Sequence, residues 1–248
     1  MIANSNGSAE APAVTVAVDL VIFTVRDGEL QVLLIERGKE PFLGQPALPG
    51  GYVHQSETLD KAARRELEEE TGIDGGQLHL EQLRTYGDPE RDPRGRVISV
   101  AYLALGPDLP VPVAGTDARA ARWVPVREAL DGGGQLAFDH LAILREALDR
   151  ARSHLEYTTV AAAFCAEPFS ISDLRHVYEA VWGVPLDPSN FRRKVTRAWQ
   201  FVEPTGDRRL RLGRPAALYR RGGARQLFPP LLRSSDITGT GEHAQSVN

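Results

Sequence analysis

Three glutamates, Glu66, Glu69 and Glu70, stand at spacing i, i+3 and i+4 in the segment LDKAARRELEEETG (59–72). At 100° per residue a helix brings them to one side, below Leu59, Ala62 and Ala63, while Lys61, Arg64 and Glu68 point away. Carboxylates this close repel one another. The arrangement therefore asks for a cation, and a hard divalent metal with oxygen ligands meets the need. The competing reading is a solvated acidic face in which Arg65 pairs with Glu69.

The flanks favour the metal. Gly51, Glu57, Arg65, Glu66, Leu67, Glu69, Glu70, Gly72 and Ile73 fall at the spacing glycine, five residues, glutamate, seven residues, Arg-Glu-apolar-x-Glu-Glu-x-Gly-apolar. The segment resembles a Nudix box, and every defined position matches. That resemblance implies a loop–helix–loop in an α/β/α sandwich. Glu66, Glu69 and Glu70, with Glu57 as a further ligand, would hold Mg2+ or Mn2+ against a diphosphate. The metal would neutralise phosphate charge and activate water. Arg65 would orient the acidic cluster, Gly51 would let backbone approach the phosphates, and Gly72 would stop the helix. Outside the box, Arg37 and Lys39 could meet phosphate, and Phe42 and Tyr86 could stack on adenine. Glu90, Asp117 and Glu128 are unranked candidates for a further base.

A second constellation has the opposite charge. Asn190, Arg193, Lys194 and Arg197, at i, i+3, i+4 and i+7, share one arc of a helix over 188–199, beside Ser189, Arg192 and Thr196. Phe191, Val195, Ala198 and Trp199 form the expected core side, and Trp182 is likewise assigned to the core. Such a helix could lie in a major groove, where Arg reads guanine and Asn reads adenine, with Ser189 and Thr196 placed for phosphates. Arg208, Arg209, Arg211 and Arg214 follow on a basic ribbon turned at Thr205-Gly206-Asp207, where they would grip a nucleic-acid backbone or reach a minor groove. A solvated basic face on a docking domain is the alternative.

The elements that must carry these residues are legible. Residues 14–25 and 30–37 read as a hairpin turned at 26–29. Residues 78–87, 96–105 and 122–126 read as further strands. Leu141, Leu144 and Leu148 give 138–152 helical spacing. Beyond 153, helices are expected near 157–166 and over 171–182, the latter started by Ser170 and Asp173 in a capping-box pattern. Asp187-Pro188 starts the third. Two helices and a basic hairpin make a winged helix-turn-helix pattern. The expected organisation is a tail (1–13), an α/β (α+β) sandwich (14–152), a winged helix-turn-helix domain (153–230) and a second tail (231–248).

Bulk composition agrees. The chain has 248 residues with a formal charge of −4, but residues 1–150 carry 15 Lys and Arg against 24 Asp and Glu, while residues 151–233 carry 14 against 7. Such asymmetry points to different partners for the two halves. No apolar run suits a membrane span, and the first residues lack signal-peptide features. The single cysteine, Cys165, excludes an internal disulfide and suits a reducing cytoplasm. The six histidines lack metal-ligand spacing, which argues against a zinc site.

An acidic Nudix box followed by a basic winged helix, with the strings ALPGGYV, YGDPERDPRGRVISVAYLAL, AFDHLAILREAL and PSNFRRKV, resembles the NrtR family of Nudix-related transcriptional regulators of NAD metabolism. The resemblance spans residues 14–230. It implies a DNA-binding repressor of NAD metabolism genes, acting as a homodimer on double-stranded operator DNA and released by ADP-ribose or a related nucleotide. Many members have a degraded box, and here it is intact. An Mg2+-dependent ADP-ribose pyrophosphatase giving AMP and ribose 5-phosphate is therefore the alternative, with Pro89, 17 residues after Gly72, in keeping with it. RNA-end processing is a third reading; the groove-sized Arg/Asn helix favours duplex DNA.

Overall fold

The computed structural model describes residues 13–72, 78–110, 118–131, 135–210 and 215–233. β1 (Thr15–Arg26) and β2 (Glu29–Arg37) form an antiparallel hairpin. Asp27 and Gly28 join them at φ 52° and 78°, the two positive values that a tight hairpin turn requires. β3 (Pro46–Ala47) and β4 (Gly50–Tyr52) lead into α1 (Leu59–Thr71). β5 (His79–Tyr86), β6 (Val97–Pro107) and β7 (Ala118–Pro125) complete a seven-stranded sheet. Its main path runs β3-β2-β1-β6-β5, with β4 on β1 and β7 on β2, and the β1–β6 pair is parallel.

The central strands are buried on both faces, and their alternation sorts two cores. Val18, Leu20 and Ile22 of β1 pack with Ala62, Ala63 and Leu67 of α1. Val21 and Phe23 face the other way. There they meet α3 (His140–Tyr157), which follows α2 (Val126–Asp131). The sheet is thus sandwiched between helices.

α3 runs through residue 153 without a break, so the chain passes toward its basic half within a helix. The helix expected near 157–166 is a 3-10 turn, Thr159–Phe164, because Thr158 is extended at ψ 167° and its hydroxyl caps Val160 N. β8 (Phe169–Ser170), α4 (Ile171–Trp182) and α5 (Pro188–Arg197) follow. β9 (Val202–Arg209) and β10 (Ala216–Arg221) join β8 in a sheet of order β8-β10-β9. The ribbon does not turn at Thr205-Gly206-Asp207. Those residues lie within β9 as a bulge opposite Leu218, with Gly206 at φ 86° and Thr205 Oγ1 bonded to Leu218 O at 3.3 Å. One buried apolar cluster extends from β1 and α3 through Phe164, Leu174 and Tyr178 to Phe191 and Val195.

Candidate functional site

α1 is built to present its acidic end. Thr58 caps it, accepting from Lys61 N, and Gly72 ends it in the left-handed region at φ 69°. It is anchored by fully buried Ala62, Ala63 and Leu67. That packing draws Glu66 and Glu70 inside, to 7% and 8% exposure, while the Glu69 side chain stays about half exposed. Burial pushes the Glu70 carboxyl up to about 7, and Glu66 and then Glu69 add to the shift. Burial also raises Glu66, against the pull of Arg65. Glu70 Oε2 is buried without a hydrogen-bond partner.

Arg65 organises the rest. Its Nη1 donates to Glu66 Oε1 at 2.7 Å and lies 3.5 Å from Glu69 Oε2. Nε and Nη2 fork onto both oxygens of Glu57 at 3.2 and 2.8 Å. Glu57, expected among the metal ligands, also accepts from His54 N at 2.8 Å. Those bonds hold its carboxyl down at about 2 and commit it to Arg65. The donor set that could hold a hard divalent cation is therefore Glu66, Glu69 and Glu70. The orphaned Glu70 oxygen fits such an ion, since a buried carboxylate oxygen needs a partner.

Beside β4 lies a cavity of about 200 Å³. Gly51 lines it, and the α-carbon of Gly51 also lies against the acidic cluster: an added methyl would sit 2.1 Å from Glu66 Oε1. Arg37 and Lys39 line the cavity as the sequence suggested. Arg37 donates to the carbonyl of Pro41 at 2.8 Å and stacks over the Phe138 ring at 4.6 Å. Phe42 and Tyr86, expected to stack on a base, are not among the lining residues. Phe42 backs onto Phe138, ring centroids 4.8 Å apart, and Tyr86 donates to Glu146 at 2.8 Å. The rings that face the cavity are Phe138 and Tyr52, with Arg94 at 5.4 Å from each. Arg94 is held flat by a bidentate bond to Asp92.

The cavity floor is a buried polar network. Arg91 forks onto Asp139 at 2.9 and 2.7 Å and reaches Asp19 at 3.3 Å. Asp19 also accepts from Ser99 Oγ. His140 Nδ1 accepts from Leu48 N at 2.9 Å, which leaves its proton on Nε2, 3.5 Å from Asp19 Oδ1. Burial lowers the His140 pKa, which favours the neutral ring that an accepting Nδ1 calls for. Sequence reasoning missed this network. Its one local signal is the alternation in β1, where Asp19 interrupts an apolar run. The base candidates Glu90 and Glu128 are exposed and lie outside the cavity, and Asp117 falls outside the described residues.

In the basic half, α5 buries Phe191 and Val195 and turns Ser189, Arg192, Arg193 and Arg197 to solvent, with Asn190 and Lys194 half-buried. Asp187 caps the helix, accepting from Asn190 N at 2.7 Å. Arg193 bonds Asn190 Oδ1, so the two act as one polar unit. Thr196 Oγ1 is tied back to Arg192 O at 2.9 Å. Trp182 is buried, but Trp199, assigned to the core, is 66% exposed. The helix stops at Arg197, and Ala198 turns extended at ψ 125°, carrying Trp199 off the buried face. Arg208 is exposed. Arg209 is not: it bonds Asp173 Oδ2 and Pro168 O, each at 2.9 Å, and so fastens β9 to α4. Arg211 and Arg214 lie outside the described residues.

Residues 14–147 match the NUDIX domain family, and residues 161–221 match the NrtR DNA-binding winged helix domain. The ADPR responsive transcriptional repressor NtrR of Acinetobacter baylyi is 36% identical over 211 residues, 84% of this chain and 82% of that protein. The chain belongs to the NrtR family. Its fold is that of Shewanella oneidensis NrtR crystallised with a 27mer DNA: TM-score 0.75 at 32% identity, over 88% of this chain and 99% of that one. An ADP-ribose pyrophosphatase of Methanocaldococcus jannaschii is 40% identical over 133 residues, 53% of this chain and 71% of that protein. In NrtR terms, the acidic cluster and cavity lie in the Nudix part, and α5 with β9 and β10 forms the winged helix.

Proposed function

We propose that this NrtR-family protein is a transcriptional repressor that binds operator DNA through α5 and releases it when its Nudix domain takes up ADP-ribose or a related nucleotide. The observation that carries the reading is the pairing of two unlike sites on one core: a guanidinium- and ring-lined cavity and an outward basic helix. A nucleoside diphosphate joined to a sugar needs cations for its phosphates and a flat face for its base. Arg37 and Arg94 supply the first, and Phe138 and Tyr52 the second. The likeness to a repressor named for its response to ADPR supports the same ligand. On α5, the Arg193–Asn190 unit suits base edges, while Arg192, Lys194, Arg197 and Arg208 suit phosphates. In this reading NAD metabolism genes are the targets, the active form is a homodimer on a two-fold site, and the cytoplasm is its compartment. No helix among the described residues is long and apolar enough to cross a membrane.

A second reading is supported by the intact acidic cluster and by the pyrophosphatase relative. Glu66, Glu69 and Glu70 would hold Mg2+ or Mn2+, which when bound would neutralise diphosphate charge and activate water. Arg65 holds Glu66 and lies 3.5 Å from the half-exposed Glu69, and Gly51 leaves room for the Glu66 carboxylate.

Both readings are tested in one tube. The full-length protein is incubated with operator duplex, ADP-ribose and Mg2+, and operator occupancy and AMP are measured together. Repression predicts occupancy that falls with ADP-ribose and with Arg193→Ala. Turnover predicts AMP release abolished by Glu69→Gln with Glu70→Gln. No preference for operator over random duplex at moderate salt would remove the first reading. AMP no higher than the double variant's would remove the second.

A further inference from the structure

Although the sequence argues against a zinc site, the fold brings two of the six histidines together with a glutamate. His79 and Glu81 sit at i and i+2 on β5, the edge strand, so their side chains share the face toward α3. Glu146, Arg150 and His154 sit at i, i+4 and i+8 on α3, and all three reach back to β5. The seam ends in His154, whose Nε2 lies 2.6 Å from Glu81 Oε1. His79 Nε2 lies 3.3 Å from Glu81 Oε2. One ligand atom from each residue falls within 4.8 Å of the others, and all three residues are half-buried.

We propose that His79, Glu81 and His154 form a second metal site, separate from the α1 glutamates and suited to Zn2+, that fastens β5 to the last turn of α3. Zinc–nitrogen and zinc–oxygen bonds of about 2.0–2.2 Å place tetrahedral ligands roughly 3.3–3.5 Å apart; His79 and Glu81 already stand at 3.3 Å, and His154 would exchange its 2.6 Å hydrogen bond to Glu81 for the ion and draw back by about 1 Å or less. Two imidazoles and one carboxylate leave a fourth position open to water. Two nitrogen donors select a borderline-soft ion over Mg2+, which takes oxygen ligands. Each ring would bind through Nε2 and keep its proton on Nδ1. Arg150 Nη1, 3.5 Å from Glu81 Oε1, occupies part of this space. Its side chain is 40% exposed and can turn to solvent at little cost. The site has leverage on the DNA-binding half. The His154 carbonyl accepts from both the amide and the hydroxyl of Thr158, at 2.8 Å each, and Thr158 is where α3 gives way to the winged helix.

The test uses full-length protein carrying Glu69→Gln and Glu70→Gln, so that the box is silenced, with ZnCl2 as the only added metal. Equilibrium dialysis should retain one Zn2+ per chain. His79→Gln and His154→Gln should each weaken that binding by more than the ~10–100-fold typical of losing an outer-shell partner. Zn2+ should raise the melting temperature of the parent but not of the His154→Gln chain. Glu81→Gln, which preserves volume, gives the same comparison if a histidine variant does not fold. Retention of no Zn2+, retention indifferent to His79→Gln and His154→Gln, or a melting temperature that Zn2+ leaves unmoved would each overturn the proposal.

Discussion

At the scale of single residues, the acidic cluster is set by burial against charge. Glu70 ionises with difficulty in the folded chain because its carboxyl is buried and its oxygen unpartnered. Its folded pKa of about 7 lies above the 4.5 of the exposed group. The unfolded chain therefore gives up that proton first, and without metal the fold loses stability as pH rises from about 4.5 to about 7. Glu70→Gln removes the effect. In EDTA it should stabilise the protein at pH 8 by up to roughly 3 kcal/mol and by nearly nothing at pH 4.5, measured by denaturant unfolding. With saturating Mg2+ at pH 8 the sign should reverse, since the variant lacks a ligand. Gly51→Ala tests the opposite wall: its methyl displaces the Glu66 carboxylate. Mg2+ affinity should fall about 10–100-fold, while unfolding in EDTA shifts by about 1 kcal/mol or less. The box glutamates could be found from spacing alone because a helix fixes which residues meet. Asp19, Arg91, Asp139 and His140 could not, since they come from three separate stretches and meet only once the sheet closes.

At the scale of elements, α5 and β9 separate residues that face outward from residues that hold the fold. The sequence placed Arg208 and Arg209 in one basic ribbon. Strand alternation sends them to opposite faces: Arg208 is exposed, while Arg209 is half-buried and committed to Asp173 and Pro168. Arg208→Ala should lower the slope of log K against log salt by about 0.9 for operator binding, one phosphate's worth, with stability unchanged. Arg209→Ala should leave the α4–β9 contact loose, costing about 1 kcal/mol or less in unfolding, with a smaller change in salt slope. On α5, Arg193→Ala should weaken operator binding by about 1–3 kcal/mol and relax preference at one base position, read by titration against operator variants. The limits of α4 were readable because Ser170, Asp173 and Gly183 are local signals. The wing's turn was not. Thr205-Gly206-Asp207 has turn chemistry, but a bulge satisfies it as well as a hairpin end, and only pairing with β10 decides.

At the scale of the whole molecule, the question is how a nucleotide in one half can reach DNA bound by the other. α3 starts at His140, in the cavity wall, and ends at Tyr157, beside the winged helix. Arg152 on the same helix donates to Val181 O at 3.2 Å, in the last turn of α4, where a cation suits the helix dipole. Leu155, fully buried, lies in the core that both halves share. A two-domain chain need not unfold in one step, but halves that share one buried cluster should melt together. Leu155→Ala should destabilise it by about 2–5 kcal/mol, with one transition by both near- and far-ultraviolet circular dichroism; two resolved transitions would refute the shared core. Coupling between the sites is a difference in affinity and must be reciprocal. If ADP-ribose weakens operator binding by some factor, operator must weaken ADP-ribose binding by the same factor, within a typical span of about 5–150-fold. Arg152→Ala removes this bond from α3 to the end of α4 without touching either ligand. It should shrink that factor while leaving ADP-ribose affinity for the DNA-free protein unchanged, both measured by calorimetry. An undiminished factor would mean that the signal passes elsewhere, through the packed core alone.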